Sequence, residues 1–220
     1  QTKDRKYLVA YTVPISVYIS FMSTGIWTYS TVFYVFILLP ILDFLLGESK
    51  ENFSKEDASH QNKKWIFDIM LYFNIPIIFG LLYIVFSSFQ SNDYNVFETV
   101  GLAFSTGLLL SINGINVAHE LGHRKPYYER FLSKLLYMPC LYMHFYIEHN
   151  FGHHLHVATP EDGATAKYNQ SVYSFWFTSV TKQYFDAWKN QKKLLKTKNS
   201  SFISIKNDMI WYHLIQPLYL

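Results

Sequence analysis

Residues 65–89 read WIFDIMLYFNIPIIFGLLYIVFSSF, an apolar run whose only charge is Asp68. A bilayer crossing takes about 20 such residues, so this stretch decides the fold class: an all-α, polytopic transmembrane helical bundle. The flanking sequence extends the pattern. Residues 7–46 are almost free of charge and long enough for two crossings, which predicts a helical hairpin turning near Gly25 to Tyr29. Residues 48–64 form a charged loop, 65–89 a span that Pro76 is placed to kink, 90–95 a short polar turn, and 96–118 a further span. Apolar residues make up 50% of the 220-residue chain and aromatic ones 19%. Cys140 is the single cysteine, which excludes an internal disulfide and a thiolate metal site.

Basic residues mark one side of the bundle. Lys3, Arg5 and Lys6 precede the hairpin, Lys50, Lys55, Lys63 and Lys64 lie in the charged loop, and Arg124, Lys125, Arg130 and Lys134 follow the last of these spans. The 90–95 turn carries none. The positive-inside rule makes the basic side cytoplasmic. The net charge of +3 is small, and its distribution reads as topology rather than nucleic-acid binding. Residues 1–220 are one membrane domain on this reading. Its parts are the 7–46 hairpin, the spans 65–89 and 96–118, a metal-site segment 119–170, an interfacial helix 172–196, and the start of another span at 209–220. The apolar run 131–147 is not expected to cross, because a crossing would put the histidines on either side of it about 30 Å apart. In the interfacial helix, Phe177, Val180, Tyr184 and Trp188 form an apolar stripe opposite a lysine-rich face. Thr159-Pro160-Glu161-Asp162 has the composition of a helix start. The chain starts at Gln1 and stops inside an apolar run, so a partial sequence is expected.

Seven of the nine histidines fall between positions 119 and 156. A histidine near hydrocarbon needs a partner or a job. His119-Glu120-Leu121-Gly122-His123 puts two imidazoles four apart, on one helical face, with Asn116 one turn before them. Glu148-His149-Asn150-Phe151-Gly152-His153-His154 repeats the four-residue spacing at His149 and His153. On an α-helix His154 is offset by about 100° and would address a neighbouring metal. Five imidazoles exceed what one open zinc site needs, and the excess points to two metals. Nitrogen ligation alone leaves zinc, iron, copper and nickel open. Asn116, Glu120, His144 and Glu148 are candidates for supporting ligands, and either glutamate is also a candidate ligand.

The strings Asn116 to Lys125 and His144 to Asp162 closely resemble the integral-membrane alkane 1-monooxygenases of the fatty acid desaturase and hydroxylase superfamily. The resemblance implies a six-helix plan and a non-haem di-iron centre with His119, His123, His149, His153 and His154 as iron ligands. It implies terminal hydroxylation of medium- or long-chain n-alkanes by O2 at a bacterial inner membrane, with the metal site on the cytoplasmic side. No flavin, haem or iron–sulfur motif occurs in the chain. The resemblance supplies electrons from rubredoxin and its reductase, with Arg124, Lys125 and Lys192 as docking candidates. The family carries a further histidine and a third box, H-x-x-H-H, that this sequence lacks, so the fragment alone is expected to be inactive. Phe151 stands where an arginine is usual, and Gly163 where a proline is common. Trp27, Phe33, Phe36, Phe73, Phe79 and Phe104 are candidates for the wall of a substrate channel. The alternatives are a xylene-type or fatty-acyl hydroxylase of the same superfamily, or an intramembrane zinc protease. The protease would use Glu120 as base and Asp162 as a distant ligand.

Overall fold

A computed structural model describes residues 3–47 and 65–219; the charged loop 48–64 lies outside the described residues. All regular structure among them is helical. The helices are α1 (Tyr7–Phe21), α2 (Gly25–Leu46), α3 (Trp65–Ser91) and α4 (Val96–Gly122). They continue with α5 (Tyr127–Tyr137), a composite α6 built from Phe145–Glu148, His149–His153 and His154–His156, α7 (Val172–Thr197) and α8 (Asp208–Tyr219). The chain divides into two compact units, Gln1–Val117 and Ala118–Leu220. Helices α2, α3 and α4 are each long and apolar enough to cross a membrane, and they make this a multi-pass membrane chain.

The first unit packs its spans through small and hydroxyl-bearing residues. The Ser20 hydroxyl lies 3.1 Å from that of Thr31 and accepts from the Thr31 N–H, while Ser105 Oγ donates to the Thr28 carbonyl at 3.0 Å. Every one of these polar groups is fully buried. In hydrocarbon that is tolerable only because each finds a partner across the helices. Gly101 lets α4 approach α2: a Cβ there would sit 2.6 Å from Thr28 Oγ1 and from the Tyr29 ring. Asn95 caps α4 in a capping box with Glu98. The same Glu98 carboxylate accepts the Gly25 N–H at 2.7 Å, at the start of α2. The turn between α1 and α2 therefore falls at residues 22–24, just ahead of the expected Gly25 to Tyr29. Gly25 has a left-handed φ of 61°, and residues 25–29 already form a 3₁₀ turn. Helix α3 runs through Pro76 without interruption. Trp27, Phe36, Phe73 and Phe104 are all more than half exposed on the outer surface. Phe73 also lines an apolar cavity of about 710 Å³ with Tyr11, Tyr18 and Ile77, whereas Trp27, Phe36 and Phe104 are not among its lining residues.

In the second unit the apolar run 131–147 is not one helix. Helix α5 ends at Tyr137, and a turn containing Pro139 and a left-handed Leu141 (φ 53°) separates it from α6. Thr159–Asp162 is a series of turns, and the helix starts later, behind the Ser171 cap. The expected helix start at 159 is thereby corrected. The Asp162 carboxylate serves its own loop by accepting from the Ala164 N–H and the Thr165 hydroxyl, a local bond that competes with helix formation. Helix α7 packs on the unit through a face other than the apolar stripe read from the sequence. It buries Ser179, Gln183, Ala187, Asn190, Gln191 and Leu195, whereas Phe177 and Val180 point outward. Its inward polar groups are satisfied: Gln183 accepts from Tyr142 at 3.0 Å, and Gln191 donates to the Lys206 carbonyl at 3.2 Å.

Candidate metal centre

The C-terminal end of α4 and the composite α6 bring four imidazoles together within the second unit. His149 Nε2 lies 2.7 Å from His119 Nε2, 3.1 Å from His123 Nε2 and 3.2 Å from His154 Nε2. His119 and His123 are 3.2 Å apart through the same atoms. Nitrogens that share one ion at about 2.1 Å, with bond angles near 80–110°, are separated by about 2.7–3.4 Å. A neutral imidazole has one donor and one acceptor nitrogen. His149 Nε2 can hydrogen-bond at most one of its three neighbours, so mutual hydrogen bonding does not explain the convergence. A cation at the common point does. Burial, reinforced by the facing His119, His154 and His123 rings, pushes the His149 pKa down to about 3, which keeps it in the neutral form a metal needs.

Local helix geometry decides which rings meet. Residues His149–His153 form a π-helical turn, in which the backbone hydrogen bonds span five residues instead of four. Across it His149 and His154 approach through their Nε2 atoms. His153 stacks its ring 5.1 Å from that of His149 and donates from Nδ1 to both Asp162 oxygens, at 3.0 and 3.1 Å. With its proton on Nδ1, His153 keeps the Nε2 lone pair available. A carboxylate behind an imidazole is a recurrent support for metal-binding histidine. The Asp162 side chain is fully buried. Burial pushes its pKa up, but the hydrogen bonds from Thr165, Ala164 and His153 outweigh that and hold it below the usual carboxylate value. Sequence reading assigned Asp162 to a helix cap; the missed signal was the carboxylate nine residues beyond a cluster histidine.

The other expected supporting groups lie elsewhere. Glu120 is exposed and pairs with Arg124 at 3.1 Å, one turn along its own helix, rather than with an imidazole. Asn116 is exposed on α4. His144 is buried among Tyr142 and Tyr184, outside the cluster, and its Nε2 has no hydrogen-bond partner. Burial, then the His213 charge, pushes its pKa down to about 4. His213 donates from Nδ1 to the Met209 carbonyl and accepts from the Tyr184 hydroxyl at 2.8 Å. Glu148 is 2% exposed with Oε2 unpartnered. Burial, then the charge of Asp162, pushes its pKa up to about 7. Gly152 keeps α6 close to α7, because a Cβ there would run into the Asn190 amide. His60 lies outside the described residues.

Comparison with known proteins agrees with this picture. The chain is 30% identical to alkane 1-monooxygenase 2 of Alcanivorax borkumensis, over 94% of this chain and 55% of the relative. It is 31% identical to alkane 1-monooxygenase 2 of Pseudomonas aeruginosa, over 88% of this chain and 52% of the relative. A xylene/toluene monooxygenase hydroxylase component of Pseudomonas putida is 26% identical over 80% of this chain and 47% of the relative. The chain thus spans about half the length of the curated relatives it matches. The family model described as fatty acid desaturase matches residues 95–218, which include α4, the imidazole cluster and Asp162. With more than half of its residues inside that match, the chain belongs to the fatty acid desaturase family.

Proposed function

We propose that this chain forms the membrane and metal-binding part of a non-haem di-iron monooxygenase. It would hydroxylate the terminal carbon of medium- or long-chain n-alkanes with O2, at the cytoplasmic side of a bacterial inner membrane. The observation that carries the reading is the convergence of the His119, His123 and His149 Nε2 atoms, with His154 beside His149, in a chain whose relatives are named alkane 1-monooxygenases. His119, His123, His149, His153 and His154 would hold the irons, which supply the O2 chemistry. The electrons would come from a rubredoxin and its reductase, with Arg124, Lys125 and Lys192 as docking contacts.

The chain's own residues have definable tasks on this reading. Neutral His149, wedged between the other rings and stacked 4.9 Å from Phe145, offers a lone pair and a dry wall. Asp162 fixes the His153 tautomer. Water exclusion matters because an oxidant able to attack an alkyl C–H bond is otherwise quenched. The zinc-protease alternative needs Asp162 as a metal ligand, whereas its carboxylate is committed to His153, Ala164 and Thr165. A second reading, hydroxylation of a methyl group on an aromatic ring, is favoured by the xylene/toluene monooxygenase relative. The test is to supply membranes holding the full-length protein with an electron donor, ¹⁸O2 and either n-alkane or xylene. Labelled 1-alkanol supports the main reading; labelled benzylic alcohol with no alkanol supports the second; absence of label from either product contradicts both.

A further inference from the structure

A second cavity of the second unit lies apart from the imidazole cluster. It measures about 400 Å³ and is lined by four cationic side chains, Arg130, Lys134, Lys198 and Lys206, and a single acid, Asp208. Two of the cations are engaged: Lys134 pairs with Asp208 at 2.9 Å and lies 4.9 Å from the Tyr146 ring, and Arg130 hydrogen-bonds Tyr146. Lys198 and Lys206 are exposed. The rest of the wall is largely apolar, with Ile147 and Leu195 only 1% and 2% exposed at its floor.

We propose that this cavity binds an anionic phospholipid, with the phosphate against Lys198, Lys206 and Arg130 and an acyl segment along the apolar wall. Three observations carry it. The excess of positive charge asks for an anion. The apolar floor and concave shape ask for a ligand with a tail, which neither free phosphate nor a flat acidic protein face provides. The cavity also begins near a membrane surface. Tyr127, one of its walls, is five residues beyond the end of α4 at Gly122, a distance of at most about 18 Å along the chain. Tyr127 and Phe131, one turn apart on α5, are 77% and 55% exposed at the mouth, the pairing of aromatic rings with basic residues found at membrane interfaces.

The test uses the full-length protein in detergent, titrated with phosphatidylglycerol or phosphatidylcholine and followed by native mass spectrometry. Phosphatidylglycerol is expected to bind preferentially, and millimolar inorganic phosphate is expected not to displace it. The pair Lys198→Gln and Lys206→Gln should weaken that binding about 30-fold, taking each lysine at the ordinary strength of a basic residue beside an anionic lipid. The pair Lys189→Gln and Lys196→Gln, exposed on α7 and outside the cavity, makes the same charge change and should leave it intact. Equal loss in both pairs would reduce the effect to general surface charge and overturn the site. Equal binding of the two lipids, or displacement by inorganic phosphate, would also overturn it. So would unchanged lipid binding in the first pair; weaker association with an acidic protein beside it would make the patch a protein interface.

Discussion

His119 and His149 sit thirty residues apart in sequence, yet their Nε2 atoms are 2.7 Å apart. That separation is too short for two lone pairs with nothing between them, and His123 closes on the same point, while His154 Nε2 approaches His149 at 3.2 Å. Removing His119 should therefore empty the centre. In the full-length protein, His119→Ala is expected to lower bound metal to less than half and to abolish turnover, with the α-helical circular dichroism retained. Unchanged metal content would remove His119 from the ligand set.

Asp162 acts through His153. Asp162→Asn keeps one oxygen to accept the Ala164 N–H, turns the Thr165 contact round so that the amide donates to the hydroxyl, and loses the charge behind the imidazole. Losses of carboxylates in this position typically cost about 10–100-fold in metal affinity or activity. Chelator competition on the Asp162→Asn protein should show a loss in that range, with little change in melting temperature. An affinity equal to the unmodified protein would make Asp162 a loop residue only.

Gly152 is a packing requirement. An added methyl would collide with the Asn190 amide and lie 3.1 Å from Glu148 Oε1. Overpacking of this kind costs about 1–3 kcal/mol, so Gly152→Ala should melt several degrees lower. Asn190→Ala, which opens that space, should restore part of the loss in the double variant. Additive losses would show that the two positions do not meet.

His144 predicts an acid limit to stability. Its folded pKa of about 4 lies below the unfolded value near 6.5. The folded state thus binds fewer protons, and stability present above about pH 6.5 is lost as the pH falls towards 4. The full loss is about 3 kcal/mol. Unfolding of the full-length protein should weaken over that window, and His144→Phe should flatten the decline. An identical pH profile in the variant would place the titrating group elsewhere.

The helical plan was legible because membrane spans announce themselves by length and lack of charge: α2 falls inside the 7–46 run, and α3 and α4 start with their runs and overrun them by two and four residues. The cluster was legible in part. His119 and His123 meet at the ordinary four-residue spacing, which any helix provides. The approach of His154 to His149 was not legible, because the turn at His149–His153 is π-helical and four-residue spacing does not contain it. Asp162 was missed for a related reason. Thr-Pro-Glu-Asp satisfies a helix-start pattern locally, while its partner His153 lies nine residues back and is reached only through a loop. The inward face of α7 was hidden by hydrophobic periodicity. Its buried residues include Gln183, Asn190 and Gln191, whose partners are hydroxyl, amide and carbonyl groups that no single-helix pattern contains.

The central claim is that the imidazole cluster holds iron. Plasma mass spectrometry of the purified full-length protein beside its His149→Ala variant tests it most directly. About two irons per chain, lost in the variant, is the predicted result. About one zinc with no iron, or iron unchanged by His149→Ala, would contradict it.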